Sequence, residues 1–381
     1  MAQDMGGDIS VGAGIFRPRN PEARRRTTGT RPRSGPRAAA GNVEERIDDA
    51  LEAGNAARDA RKYPAAEQAY KGIFRLKPRD PRAAYGLGNV YVDQQRWDEA
   101  EKSYLEAVAA NSNNADALVA LSFVLVQPRA GGSNAKRFAD AENAARRAIL
   151  IEPNNAVAFD RLGVALESRG IFNSSTEGAY RRGVELDANS AVAQVHLGRL
   201  LRRMNRGNEA EPFYARAIEI AQDAPALVLI ADAFQSEQRW DDSEPLLRRA
   251  LGLDARSPGA LFLLGRFLTV RQRYQDAEGV LKTAIQVSPR NFQNYILLGR
   301  AHLGLKRYDD ASRTYEQALL FGSPAERKQL SGAFGFTGVG DGFAAANRMR
   351  DAVKAYERAL LLDPANADAR KKLAAARARI G

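Results

Sequence analysis

Residues 97–110 read WDEAEKSYLEAVAA, and residues 308–319 read YDDASRTYEQAL. Each stretch begins with an aromatic residue, has an alanine three positions later, and then has a second aromatic and a second alanine. Spacings of three and four residues place these side chains on one face of an α-helix. The pattern returns about every 34 residues, a period that predicts helical hairpins too small to fold alone. The chain is therefore predicted to be an array of stacked hairpins.

Nine such hairpins follow one another in a single register. Their first helices are predicted to begin near Ile47, Pro81, Ala115, Ala156, Ala191, Ala224, Pro258, Phe292 and Ala333. Each first helix carries a small residue at one recurrent position, and such residues let two helices approach closely. These small residues are Gly54, Gly88, Ser122, Gly163, Gly198, Ala231, Gly265, Gly299 and Gly340. Prolines disfavour helix in the residue before them, so the second helices are predicted to end before Pro78, Pro153, Pro289 and Pro364.

At these positions the chain resembles the tetratricopeptide repeat family, whose pattern runs small residue, aromatic, alanine, aromatic, alanine, proline. The resemblance covers residues 47–366 and implies an all-α fold, a right-handed α-solenoid of about nine helix-turn-helix repeats. Extra residues in Gln127–Phe138 and in Glu326–Gly332 interrupt the register without changing the fold class. The solenoid is expected to span residues 43–366, and residues 367–381 are predicted to form a capping helix with a polar outer side.

Residues 1–42 differ from the rest in composition. Eight arginines oppose three acidic residues there, which accounts for +5 of the chain's net charge of +11, and glycine, proline, serine and threonine are frequent. Such a segment buries too little apolar area to offset its ordering entropy, so it is predicted to be a disordered tail. It is interpreted as a solvated tail, and the competing interpretation is a basic arm for nucleic acid or an anionic surface.

Catalytic chemistry finds little support in the sequence. There is no cysteine, no apolar run long enough to span a bilayer, and no metal-binding or nucleophile motif. The two histidines lie in separate helices, and His302 is predicted to be packed and hydrogen-bonded. Five glycines in Gly332–Gly342 suggest a phosphate loop, but Phe336 and Phe343 fall at helix positions of the ninth hairpin, so a helix is predicted. No enzymatic activity, cofactor or metal is predicted.

The family resemblance also implies a concave groove lined by one face of each first helix. Carried onto this chain, that face predicts a peptide-binding set, which comprises Asn55, Tyr85, Asn89, Phe123, Arg199, Arg202, Phe262, Arg266, Ile296 and Arg300. The asparagines could use both donor and acceptor on a peptide backbone. Basic residues do not accompany them as in family members that clamp a terminal carboxylate, so no such clamp is predicted. The arginines among apolar residues suit carboxylates on a ligand.

The sequence thus predicts a scaffold or adaptor that binds protein or peptide partners within a bacterial multiprotein assembly. Its ligand is hypothesised to be acidic and partly apolar and to lie along the fifth to eighth hairpins. Two alternatives remain: nucleic-acid or anionic-surface binding through the arginine-rich tail, and regulation of an enzyme supplied in trans. The location stays open between the bacterial cell envelope or periplasm and the cytoplasm, and the sequence gives no indication of oligomeric state.

Overall fold

The computed structural model describes residues 18–22, 43–127, 129 and 134–380. Within these residues the secondary structure consists of twenty α-helices and no strand, so the predicted all-α fold is confirmed. The chain divides into two compact units, Met1–Ile220 and Ala221–Gly381. In the described part of the chain, no helix has the length and apolar character needed to cross a membrane.

The amino-terminal unit contains five helical hairpins, here called repeats 1 to 5. Their helices are α1 (Val43–Asp59) and α2 (Tyr63–Leu76), α3 (Pro81–Asp93) and α4 (Trp97–Ala110), α5 (Ala115–Leu125) and α6 (Ala135–Ile151), α7 (Ala156–Ser168) and α8 (Ser174–Leu186), and α9 (Ala191–Arg203) and α10 (Gly207–Ile220). Each first helix packs on its own second helix, and within this unit each second helix packs on the first helix of the following repeat.

The carboxy-terminal unit contains repeats 6 to 9 and the last helix. Its helices are α11 (Ala224–Ser236) and α12 (Trp240–Leu253), α13 (Pro258–Val270) and α14 (Tyr274–Val287), α15 (Phe292–Gly304) and α16 (Tyr308–Ala318), the short α17 (Pro324–Gln329), α18 (Phe336–Ala345) and α19 (Met349–Leu362), and α20 (Ala367–Ala378). Seven first helices begin at the predicted residue, whereas α1 begins at Val43 rather than Ile47 and α18 at Phe336 rather than Ala333.

Local signals in the sequence set the ends of these helices. Asp80, Asn114 and Ser190 each accept a hydrogen bond from a main-chain N–H of the first turn that follows, which satisfies a donor that the helix itself cannot pair. At the other end, the four second helices that precede the named prolines end two residues before each proline, as predicted.

The turn between the two helices of a repeat has a recurrent backbone in every repeat but the third, whose turn lies largely outside the described residues. After α3, Gln95 adopts a left-handed conformation with φ of 57°. Its N–H donates to the Val92 carbonyl at 2.9 Å, and the Arg96 N–H donates to the Tyr91 carbonyl at 2.8 Å. This pair of bonds is the Schellman motif, which caps the carbonyl end of a helix and starts the next one at a fixed angle.

The recurrent small residue has a single packing role. In repeat 1 a Cβ atom at Gly54 would lie 2.7 Å from the Tyr70 ring, and the same conflict with a tyrosine ring recurs at Gly88, Gly163, Gly299 and Gly340. The tyrosine of the second helix therefore lies directly on the first-helix backbone. This contact explains why small residue and aromatic recur together.

The glycine-rich run Gly332–Gly342 is helical from Phe336 onward, whereas Gly332–Gly335 form the turn that precedes α18. Phe336, Val339 and Phe343 of α18 are buried in the core of the carboxy-terminal unit. Some of the extra residues before them, Glu326–Gln329, belong to α17. This helix begins with a capping box between Ser323 and Glu326. Three of the five glycines, Gly338, Gly340 and Gly342, therefore lie within a helix.

Candidate functional site

Two asparagines mark the candidate site in the amino-terminal unit. Asn55 of α1 and Asn89 of α3 occupy the same position in repeats 1 and 2. The Tyr70 hydroxyl donates to the Asn55 side-chain oxygen at 2.6 Å, and the Tyr104 hydroxyl donates to that of Asn89 at 2.9 Å. These bonds fix the amide orientation, so each NH₂ group points away from its tyrosine. We call Asn55 and Asn89 the amide pair.

The amide pair binds the main chain of residues 18–22. Asn55 donates to the Pro21 carbonyl at 3.0 Å, and Asn89 donates to the Arg19 carbonyl at 2.7 Å. The sequence predicts that each amide can use both its donor and its acceptor on a bound backbone. The structure instead shows donation only, because a tyrosine hydroxyl engages each side-chain oxygen.

Arg58 completes the contact from the last turn of α1. Its buried guanidinium donates to both oxygens of Asp93 at 2.7 and 2.9 Å, and its third nitrogen donates to the Pro18 carbonyl at 2.8 Å and to the Asn20 side-chain oxygen at 2.9 Å. Burial disfavours the charged form, but the bonds to Asp93 outweigh it and raise the pKa of Arg58. We call Asn55, Arg58 and Asn89 the amino-terminal groove.

Residues 18–22 form neither helix nor strand, and their side chains alternate in environment. Pro18 and Pro21 are buried, whereas Arg19 and Glu22 are exposed. Desolvation raises the pKa of Asp116, at the start of α5, and the positive charge of Arg19 acts in the opposite direction. Arg19 therefore lies within electrostatic reach of repeat 3. Within the predicted tail the structure describes only these five residues, and the remaining tail arginines lie outside the described residues.

Two further predicted residues of this unit are buried in its core. Tyr85 packs on Tyr104 with ring centroids 5.8 Å apart, and Phe123 packs edge-on against Trp97 at 6.2 Å. Because both are buried, they offer little surface to a ligand.

Repeats 4 and 5 hold a buried ionic cluster. The Asp160 carboxylate lies 2.6 Å from the His196 Nδ1 atom and also pairs with Arg161. Although burial opposes its charge, the neighbouring His196 and Arg161 hold the pKa of Asp160 far below its usual range. The predicted residues Arg199 and Arg202 lie nearby in sequence on α9, and both are partly exposed.

In the carboxy-terminal unit the two predicted arginines, Arg266 and Arg300, lie in different environments. Arg266 of α13 donates to Gln235 at 2.8 Å and to Asp232 at 3.2 Å, both on α11 of the preceding repeat. Its guanidinium also lies 5.7 Å from the Phe262 ring centroid. The charge of Arg266 is thus largely neutralised by the fold.

Arg300 of α15 presents a different environment. It is exposed, and its guanidinium lies 5.0 Å from the ring centroid of Phe334, which is itself 66% exposed. Among the described residues no carboxylate pairs with Arg300. Ile296, predicted beside it, is buried. We call Arg300 and Phe334 the carboxy-terminal patch.

His302 has the packed, hydrogen-bonded position that the sequence predicted. It is buried, and its Nδ1 atom lies 3.1 Å from the Thr314 hydroxyl. No group of three or more histidine, cysteine or acidic side chains in the described ranges could hold a metal ion.

Comparison with known families settles the class of the chain. Models described as tetratricopeptide repeat match residues 51–115, 190–224, 228–296 and 271–330. The chain belongs to the tetratricopeptide repeat family. The repeats support a general role as a scaffold for protein–protein interaction.

Individual relatives are distant. Cellulose synthase operon protein C of Xanthomonas axonopodis is 32% identical over 108 residues, which are 28% of this chain and 7% of that protein. Among solved structures, a monomeric mutant of IFIT1 with Gppp-AAAA is 13% identical, with a TM-score of 0.51 over 86% of this chain and 80% of that chain. The Thermus thermophilus repeat protein TTC0263 is 21% identical, with a TM-score of 0.43 over 50% of this chain and 99% of that chain. The IFIT1 structure shares its fold with the chain.

Proposed function

We propose that this tetratricopeptide repeat protein is a scaffold that holds extended segments of partner proteins in its amino-terminal groove. The observation that carries the proposal is the amide pair, whose two members each donate to a main-chain carbonyl of a non-helical segment. Every peptide offers such carbonyls, so these bonds supply affinity for an extended backbone, while neighbouring side chains supply selectivity.

The geometry favours binding because the donors are oriented before a ligand arrives. Tyrosine hydroxyls hold both amide oxygens, so the asparagines lose little rotamer freedom when a carbonyl approaches. Arg58 is likewise fixed by its two bonds to Asp93. A preorganised set of donors binds more tightly than the same groups on mobile side chains.

The test replaces both donors without removing their partners. In repeat 9 the equivalent residue is Asp341, and it accepts from Tyr356 at 2.8 Å. The changes Asn55→Asp and Asn89→Asp should therefore keep the tyrosine bonds and lose donation to a ligand. Peptides from a displayed random library, selected on the full chain, should bind the double variant at least about tenfold more weakly, a loss of about 1.4 kcal/mol.

A matched control is the reciprocal change Asp341→Asn, which alters the same position in repeat 9. It should leave the affinity of the selected peptides unchanged. Equal affinity of the double variant and the unaltered chain, measured by fluorescence anisotropy, would contradict the assignment of the groove.

The carboxy-terminal patch supports the acidic, partly apolar character proposed for a partner. An exposed arginine beside an exposed aromatic ring can pair with a carboxylate while the ring covers apolar surface. Arg300→Glu should abolish binding of an amphipathic peptide of glutamate and leucine, and Arg313→Glu, on the second helix of the same repeat, should not. If the affinity for this peptide does not change with salt concentration, or if the Arg300→Glu variant still binds it, the carboxy-terminal patch is not a binding site.

Arg266 is less suited to this test than Arg300. Reversing its charge would place a carboxylate beside Asp232 and disturb the link between repeats 6 and 7. A loss of binding in that variant would not distinguish lost recognition from lost stability.

A bacterial multiprotein assembly is the setting that we propose for this scaffold. The relative from Xanthomonas axonopodis is bacterial, and the chain spans only 7% of its length. A scaffold with two separate binding surfaces would connect two partners within such an assembly.

A further inference from the structure

The amino-terminal groove is occupied by the chain's own residues 18–22. Three carbonyls of this segment, those of Pro18, Arg19 and Pro21, accept hydrogen bonds from groove side chains. The Asn20 side chain accepts from Arg58 at 2.9 Å and donates to Asp59 at 3.1 Å. Each of the three groove side chains therefore donates to the segment.

The segment has the sequence pattern of a peptide ligand. Its buried residues, Pro18 and Pro21, are three positions apart, which is the spacing that brings side chains to one side of a polyproline II helix. Proline-rich segments lose little conformational entropy on docking because their backbone is already restricted. The positive charge of Arg19, which follows the first of these prolines, acts to lower the pKa of Asp116, which burial raises.

The apolar core of the first two repeats is formed by residues of their helices. Ile47, Leu51 and Tyr70 are fully buried among helical residues of the same core, and residues 23–42 separate the segment from α1 in sequence. The segment instead covers the polar face of α1 and α3 that carries the donor groups of Asn55, Arg58 and Asn89. These features distinguish a docked ligand from a structural element.

We propose that Pro18–Glu22 is an intramolecular ligand that closes the amino-terminal groove, and that a partner segment enters by displacing it. This inference rests on the proposed function of the groove. The partner that fits is an extended segment with two prolines three residues apart and a basic residue after the first. Because the ligand is covalently attached, its local concentration does not depend on the protein concentration. A groove closed in nine molecules of ten binds a partner about tenfold more weakly than an open one.

The experiment compares three full-length chains with one labelled probe. The probe is the fluorescent peptide FRPRNPEAR, which corresponds to residues 16–24. The opened variant carries Pro18→Gly, Asn20→Gly and Pro21→Gly. The control carries Pro32→Gly, Ser34→Gly and Pro36→Gly, so it has the same number and kind of changes in the same tail. Anisotropy measures binding, and circular dichroism measures the helical fold.

The opened variant should bind the probe at least about tenfold more tightly than the unaltered chain and the control. Adding Asn89→Asp to the opened variant should remove that binding. Equal binding to all three chains would show a working groove that the segment does not regulate, which overturns this inference but keeps the proposed function. A folded opened variant that binds no probe would refute the proposed function itself.

A second measurement covers the case in which the opened variant loses helix. A specific protease site inserted between residues 30 and 36 of the otherwise unaltered chain allows the tail to be cut after folding. If the segment is a displaceable ligand, the released fragment should dissociate on dilution, and the helical circular dichroism should persist. A fragment that stays bound at nanomolar concentration, or a chain that unfolds after cutting, would make the segment a structural part of repeat 1.

Discussion

The Tyr104 hydroxyl donates to the Asn89 side-chain oxygen at 2.9 Å while the Asn89 amide donates to the Arg19 carbonyl at 2.7 Å. One amide thus links the ring that packs repeat 2 to the segment that lies in the groove. The ring lies on Gly88, so the residue that permits close helix packing also places the hydroxyl beside the ligand position. The same chain of contacts joins Gly54, Tyr70 and Asn55 in repeat 1.

Tyr104→Phe should weaken groove binding more than it weakens the fold. The ring would still fill its place on Gly88, and one buried hydrogen bond would be lost, at a cost of about 0.5–1.5 kcal/mol in unfolding free energy. The freed amide would rotate, so probe affinity for the opened chain should also fall. Tyr356→Phe, which removes the hydroxyl bound to Asp341, should lower stability similarly and leave probe affinity unchanged.

Gly54→Ala should destabilise the amino-terminal unit. An added Cβ would meet the Tyr70 ring at 2.7 Å, and overpacking of this kind costs about 1–3 kcal/mol. Gly72→Ala in α2 is the matched control, because nothing lies within 4 Å of its added Cβ. Alanine is favoured over glycine inside a helix by up to about 1 kcal/mol, so this variant should be more stable in urea denaturation. Equal effects of the two changes would contradict the packing role of the small residue.

Arg58→Met should be strongly destabilising, because it leaves the Asp93 carboxylate without its main partner. The side chains of Arg58 and Asp93 are only 1% and 11% exposed, and breaking a buried pair costs about 3–5 kcal/mol. The double change to Arg58→Met and Asp93→Leu should recover much of that loss in urea denaturation. A double variant no more stable than the single one would show that the segment contacts of Arg58, and not the charge pair, set the cost.

Acid should destabilise the carboxy-terminal unit through His302. Burial lowers its pKa, with Glu278 and Asp310 acting to raise it and Arg307 acting to lower it further. The unfolded chain then binds a proton near pH 6.5 that the folded chain does not, so the free energy of unfolding should fall as the pH drops below that value. His302→Gln should flatten this dependence in urea titrations between pH 7 and pH 5. An unchanged slope would assign the effect to other groups.

Periodicity predicted the helices well because the same packing contact between small residue and aromatic ring recurs along the chain. The starts of α3 and α13 coincide with Pro81 and Pro258, where a side-chain cap and a proline in the first turn act together. Of the predicted binding face, Asn55 and Asn89 contact residues 18–22, and for the other repeats that face stays a prediction.

The partners of those residues were harder to predict. Arg266 reaches back one repeat to Asp232, and the two opposite charges stand at the same position of consecutive repeats, so the signal was present in the sequence. The contact between the amide pair and residues 18–22 had no such signal. It depends on how a stretch without periodic pattern returns to the repeats, and composition alone gives no register for that return.

The bound segment has a direction. The Arg19 carbonyl meets repeat 2 and the Pro21 carbonyl meets repeat 1, so the segment runs from the second repeat back toward the first as its residue numbers increase. A longer guest that follows this polarity would extend past repeat 2 only with its amino-terminal part. Selectivity for such a guest would then depend on the residue after its first proline, because Arg19 at that position acts on Asp116 of repeat 3, and on the residues that precede that proline.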